Sequence, residues 1–347
     1  MSEPLLVDVS LAQGAVLGVM LCALIASAAW SRLVGRRLDA RAARAAAAVL
    51  RPADPGTRAP AELRALPRSR QLELLTGLAA SIGGGERSRL RRVADELGLV
   101  DRAERWCRCR PWWKRLRGAR SLTLLGGGDH VVGPMLADRR PEVRAQAAEW
   151  AADHPSPEVV SRLLTMLGDP EALCRFSAKD SLLRIGRAAC GPLASFLSEA
   201  RADEREDALE IAVGIAEPGL LGSALSLCRH DHAGTRARAA TLAGAIGGEA
   251  AVEALTDLLA DRDPAPRAAA ARALGKLGHW PVAPQLASLL GDPSWEVRQA
   301  AALALRAIGA PGSLMLRRSR SDDDRFARDM ARQVLDIPTA DQAVVAP

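Results

Sequence analysis

Apolar and small residues recur along most of this chain at helical spacing, and the recurrence itself repeats. The segments RAQAAEWAADHP, RFSAKDSLLRIG, REDALEIAVGIA, RARAATLAGAIG, RAAAARALGKLG and RQAAALALRAIG begin at Arg144, Arg175, Arg205, Arg236, Arg267 and Arg298. Their lead arginines are 31, 30, 31, 31 and 31 residues apart. Within each segment, side chains at offsets such as 3, 4, 7 and 10 share one helical face. Upstream of each lies a shorter apolar helix, as in LLTMLGD, ALTDLLAD and PQLASLLGD. The pattern extends back to RLRGARSLTLLG at Arg115, 29 residues earlier. One helix pair of about 30 residues cannot bury its apolar face alone, so neighbouring pairs must stack into a continuous core.

The turn inside each pair has its own signature. Asp138, Asp169, Asp261 and Asp292 each precede a lead arginine by six residues, in ADRRPEVR, GDPEALCR, ADRDPAPR and GDPSWEVR. Proline suits the first helical position, and an aspartate there can accept hydrogen bonds from free helix amides. These features resemble the HEAT repeat family, in particular its short bacterial form named from phycobilisome lyases. The resemblance covers roughly residues 86–312. It implies an α-α superhelical solenoid in which turn aspartates and second-helix arginines form a ladder between neighbours. The matching positions are Asp138/Arg144, Asp169/Arg175, Asp261/Arg267 and Asp292/Arg298. Ala200 and His230 stand at the aspartate positions of the intervening repeats, so the ladder is expected to break there.

The front of the chain reads differently. Val9 to Ser31 is 23 residues without a charge, long enough at about 1.5 Å per residue to span a ~30 Å hydrocarbon layer. Trp30 ends it, and Gly14, Gly18, Cys22 and Ala26 set small residues at four-residue spacing, a seam suited to another membrane helix. Arg32, Arg36, Arg37, Arg41 and Arg44 follow, against Glu3 and Asp8 before it. The positive-inside rule then predicts a single-pass plasma or inner-membrane protein, with its N-terminus outside and its body in the cytoplasm. The expected fold class is all-α, an N-terminal transmembrane helix followed by a HEAT-like solenoid. Its expected divisions are an anchor over 1–37, a juxtamembrane helix and Pro-rich linker over 38–67, and a basic, Trp-rich N-terminal cap over 68–131. HEAT-like repeats over 132–312 and a capping helix with tail over 313–347 complete them.

Charge sharpens this organisation. The chain of 347 residues has net charge +6, but residues 32–120 hold 21 arginines and Lys114 against nine acids. Within that stretch, Arg105, Trp106, Trp112, Trp113 and Lys114 interleave cations with indoles. They are read as the solenoid's front cap and as candidates for contact with anionic lipid headgroups. Basic residues among aromatics can also serve nucleic acid, but the block follows the expected membrane span, where lipid lies closer than DNA, which disfavours that partner.

Candidate chemistry is sparse. There are five His and six Cys. The iron-binding His-Glu pairs of deoxyhypusine hydroxylase-like HEAT enzymes have no counterpart, because no His-Glu dipeptide occurs. No bilin pocket or glycosylase groove is legible. His230 and His232 are a weak metal pair at an inter-helix turn, and Cys107-x-Cys109 lacks zinc-knuckle spacing. Gly83–Gly85 and Gly126–Gly128 lack the G-K-[ST] ending of a phosphate loop. No catalytic, cofactor-binding or metal residue is therefore assigned, and no cofactor is expected.

What remains is a surface. Offsets 2 and 5 of the second helices should point away from the core and line the inner wall of the array. That row gives Glu149, Asp180, Asp207, Glu210, Arg238 and Arg272 as candidates for binding a partner, acidic in the middle and basic at the far end. The sequence thus reads as a membrane-anchored, non-enzymatic HEAT-repeat scaffold for a protein partner, for instance an integral membrane enzyme, held near anionic lipid. The alternatives are a lyase-type HEAT enzyme and nucleic-acid binding through the Arg/Trp block.

Overall fold

A computed structural model of the chain describes residues 38–51, 58–82 and 85–337. The chain divides into two compact units at Val132 and Gly133.

In the first unit, residues 38–50 form α1. Then come α2 (Ala61–Arg64), α3 (Arg68–Ser81), α4 (Gly85–Glu96), α5 (Leu99–Cys107) and α6 (Trp112–Leu125). Pro60 and Pro67 stand immediately before α2 and α3, where a missing N–H costs nothing. Two prolines of the expected linker, Pro60 and Pro67, therefore start helices here. Leu63 and Leu66 are buried, Gln71 Nε2 donates to the Leu63 and Leu66 carbonyls, and Glu96 accepts from the Ala59 amide. Residues 58–67 are thus packed structure, while 52–57 lie outside the described residues. The α5–α6 pair packs tightly, because a Cβ on Gly118 would stand 2.7 Å from the Ala103 carbonyl oxygen. Gly126, Gly127 and Gly128 all have positive φ (84°, 88° and 85°). This run ends α6 in a conformation that L side chains rarely adopt.

The second unit is a succession of helix pairs. A short 3-10 turn (Gly133–Ala137) precedes α7 (Pro141–Ala151). The pairs then run α8 (Pro157–Thr165) with α9 (Ala172–Ile185), α10 (Cys190–Glu199) with α11 (Ala202–Ile215), and α12 (Leu221–Leu227) with α13 (Ala233–Ile246). After them come α14 (Glu249–Leu258) with α15 (Pro264–Leu277), α16 (Ala283–Ser288) with α17 (Trp295–Ala307), and α18 (Ala310–Ser319) with α19 (Arg325–Leu335). Second helices pack on second helices. Many of the buried side chains on these helices are small: Ala239, Ala240 and Ala243 on α13, and Ala270 and Ala271 on α15, are fully buried. Gly244 and Gly275 let the backbones approach so closely that a Cβ would meet Ala273 Cβ at 2.4 Å and Ala304 Cα at 2.6 Å. The abundance of alanine and the scarcity of aromatics follow from that approach.

The expected capping helix is a further repeat. Arg328 in α19 donates to the Asp322 carbonyl at 2.7 Å, and Asp322 Oδ1 accepts from the Asp324 amide at 2.9 Å. The same geometry occurs at Asp292 and Arg298. The helix-pair array therefore continues past residue 312.

The membrane-anchored architecture is corrected. No helix among the described residues is long and apolar enough to cross a membrane. The helices α3, α6 and α9 have 14 residues, about 21 Å against a ~30 Å hydrocarbon core. The expected span, residues 9–31, lies outside the described residues. What stands is an all-α, HEAT-like solenoid. The transmembrane helix and the single-pass topology with its N-terminus outside are not carried forward.

Candidate functional site

The ladder is the best-defined polar construction in the second unit. Arg144 Nε and Nη2 donate to both oxygens of Asp169 at 2.7 and 2.8 Å. Arg236 grips Asp261 in the same fork at 2.7 Å twice, with Asp263 at 2.8 Å. Arg267 grips Asp292 at 2.8 and 2.9 Å. Forked guanidinium–carboxylate pairs are among the strong hydrogen bonds of proteins. The side-chain pairs run from one repeat to the next, so Arg144 joins Asp169, and Arg267 joins Asp292. The six-residue pairs Asp138/Arg144, Asp169/Arg175, Asp261/Arg267 and Asp292/Arg298 meet through the backbone instead. Each arginine donates Nη1 to the aspartate's own carbonyl at 2.7 to 2.8 Å. The aspartate Oδ1 meanwhile accepts the amide two residues on. In the first unit Arg115 makes the equivalent contacts to the Cys109 and Arg110 carbonyls.

Burial and pairing set the protonation of these rungs. Burial pushes the Asp169 carboxyl up, but the hydrogen bonds from Arg144 and the Glu171 amide outweigh it and hold it below the ordinary carboxylate value. At Asp261 burial is likewise opposed and outweighed by Arg236 and the Asp263 amide. Two rungs differ. Arg175 faces the repeat that carries Ala200, which has no carboxylate to offer. Arg205 Nη1 stands 3.4 Å from His230 Nε2, while His230 Nδ1 faces the His232 amide at 3.1 Å. That places His230 in a turn role, as a stand-in for the aspartate.

The partner-binding candidates line the exposed row of the second helices, but most are engaged with one another's neighbours. Lys179 on α9 reaches Glu210 on α11 at 2.6 Å. Arg238 on α13 reaches Glu206 on α11 at 3.3 Å, and Arg272 on α15 reaches Glu296 on α17 at 3.2 Å. Asp180 faces Arg184 at 3.8 Å, Glu149 accepts from Gln146 at 2.8 Å, and Asp207 is half-buried on α11. Offset 5 is exposed at Glu149, Asp180, Glu210, Thr241, Arg272 and Leu303. Offset 2 is not uniformly so: Ala269 and Ala300 are buried, because α13, α15 and α17 approach closely enough to cover more of each helix.

Charge alone missed the apolar members of this surface. Phe176 is 70% exposed and Leu173 54% exposed on α9. With Glu142, Glu149, Asp180 and Arg184 they line a groove of about 330 Å³ between α7 and α9. A strict reading of core periodicity could have found Phe176, since it falls off the buried stripe of its helix.

The Arg/Trp block is paired in part within itself. The Arg102 and Arg117 guanidinium carbons stand 5.1 and 5.0 Å from the Trp106 ring centroid, and Lys114 Nζ 5.4 Å from that of Trp113. Trp112 and Trp113 are exposed, as is Arg105. The anionic-lipid partner expected here depended on the adjoining anchor, and it is withdrawn with it. The indoles and cations of this block are spent partly on each other.

No group of three or more His, Cys, Asp or Glu among the described residues is placed to hold a metal ion. Burial raises the thiols of Cys107, Cys174, Cys190 and Cys228. Burial first, and Glu104 next, pushes Cys107 up to about 12, and burial pushes Cys228 up to about 11.

Comparison with known proteins agrees with this architecture. The family model for HEAT repeats matches residues 252–336, which is α14 to α19. That match is to HEAT repeats in general, and the finer phycobilisome-lyase form is not carried forward. No curated protein matches the sequence. Among solved structures, importin beta is 14% identical over 77% of this chain and 44% of its own, with a TM-score of 0.50. An engineered protein is 18% identical over 85% of this chain and 93% of its own (TM-score 0.38). Human deoxyhypusine hydroxylase is 22% identical over 69% of this chain and 95% of its own (TM-score 0.30). The likeness to importin beta is one of fold.

Proposed function

We propose that this chain is a non-catalytic interaction scaffold that holds a protein partner on the second-helix face of residues 133–337. The membrane-anchored version of that reading is replaced by this one. The observation that carries it is the row of second helices. Their solvent-facing positions include unspent apolar side chains at Phe176 and Leu303, set on a frame locked by Arg–Asp rungs. A rigid frame presents such a row with little ordering cost on binding. The likeness to importin beta adds a HEAT-type fold and nothing further.

Co-purification with the full chain tests the proposal. One variant carries Thr241→Glu, Arg272→Glu and Leu303→Glu on second helices; another carries Glu253→Lys and Asp257→Lys on α14, a first helix. Partners are expected to be lost from the first variant and retained by the second. An identical set from both variants would contradict the proposal.

A further inference from the structure

We infer that the groove between α7 and α9 docks a peptide segment in which a lysine or arginine stands beside a large apolar side chain. The inference rests on the scaffold reading and adds the chemistry of the partner. The groove joins an exposed apolar lip, which is costly to leave in water, to a rim rich in carboxylates. Its lip is apolar, with Phe176 70% exposed and Leu173 54% exposed. Its rim carries three carboxylates, Glu142, Glu149 and Asp180, against one guanidinium, Arg184. Arg184 is already divided between Asp153 at 3.6 Å and Asp180 at 3.8 Å. Glu142 Oε2 is shielded from solvent yet accepts no hydrogen bond among the described residues, with Arg140 Nε 3.7 Å away. The excess of negative charge favours a cationic occupant and repels an anionic one. A purely apolar occupant would strip water from these carboxylates without replacing their hydrogen bonds. A purely basic one would leave Phe176 and Leu173 in water. Only a segment offering both satisfies both surfaces. The two helices that flank the groove are tied together: Ser181 Oγ on α9 donates to the Ala148 carbonyl on α7 at 2.7 Å, and Cys174 Sγ lies 3.4 Å from the Pro141 carbonyl.

The test uses the full chain and a fluorescein-labelled peptide of repeating Leu-Arg-Ala units, with Leu-Glu-Ala and Ser-Arg-Ala peptides as controls. Fluorescence anisotropy is expected to show the first peptide binding at least about tenfold more tightly than either control. Phe176→Ser, and separately Glu149→Gln with Asp180→Asn, should each weaken it by about tenfold. Leu303→Ser, elsewhere on the same face, should not. Phe176 is largely exposed, so its replacement leaves the core intact, which an unchanged thermal melt verifies. Equal binding of the Ser-Arg-Ala peptide, or indifference to the groove variants, would overturn the inference. Self-association abolished by Phe176→Ser would also overturn it, by making a second copy the occupant. If partners co-purify through the second-helix row while Phe176→Ser changes nothing, the groove fails and the scaffold stands.

Discussion

Arg236 and Asp261 lie 25 residues apart in sequence and meet in a fork of two 2.7 Å hydrogen bonds across consecutive helix pairs. Both side chains are more than nine-tenths buried, so removing one partner strands the other. Asp261→Ala should cost about 3–5 kcal/mol, toward the lower end because Asp263 still reaches Arg236 at 2.8 Å. Replacing both partners with apolar residues should cost less than the sum of the single changes. Urea denaturation of the four-member cycle measures this; strict additivity would mean that the rung carries no coupling.

The rungs also set the response to acid. The folded carboxyls of Asp169 and Asp261 sit below their ordinary value. Their stabilisation is therefore fully present above the unfolded value of about 3.9 and is lost as pH falls through the lower folded values. The melting temperature of the wild type should exceed that of Asp261→Asn at pH 7. That gap should narrow progressively below about pH 4. Thermal melts across that range check it, and a gap that widened in acid would contradict the assignment.

Close helix approach makes a prediction of opposite sign at similar residues. Alanine ordinarily gains about 1 kcal/mol over glycine inside a helix. At Gly244 the new Cβ would stand 2.4 Å from Ala273 Cβ, and at Gly275 2.6 Å from the Ala304 backbone. Overpacking costs about 1–3 kcal/mol, and a backbone atom cannot step aside, so Gly275→Ala should destabilise. Gly222→Ala, with nothing within 4 Å, should stabilise. Equal shifts at both sites in a chemical melt would show that the packing between α15 and α17 is looser than described.

Much of this was legible in the sequence, for reasons that also explain the gaps. The lead arginines recur through the array, and turn aspartates stand before all but two of them from Arg144 to Arg298, because each does the same local work on its own turn. Their cross-repeat pairing was less visible, because a distance of 25 residues becomes a contact only once the pairs are stacked. Asp322 and Arg328 carry the six-residue signature too, but Asp322-Asp323-Asp324 reads first as a helix start. Phe176 escaped because it stands at offset 1 of its segment, off the row of offsets 2 and 5. The uncharged run from Val9 to Ser31 lies outside the described residues, and the helices that are described owe their short length to the turn after every pair.

The two altered rungs in the middle of the array, at Arg175 and Arg205, predict where it opens first. Ala200 offers Arg175 no carboxylate, and His230 meets Arg205 at a long 3.4 Å. Amides of α10 to α12 should exchange with solvent before those of α15 and α17, as a separate cooperative unit. His230→Asp should slow exchange in α11 and α13 by restoring a fork to Arg205. Native-state hydrogen exchange reads both effects; uniform exchange along the second unit would show that the rungs do not govern local stability.

The most direct test of the scaffold account is a photocrosslinking scan of the full chain in cells. A photoreactive residue would replace Glu149, Thr241 or Leu303 on second helices, and Glu253, Asp257 or Gln285 on first helices. The account predicts a discrete crosslinked partner from the first set and none from the second. A partner captured equally from first-helix positions, or only from them, would contradict it.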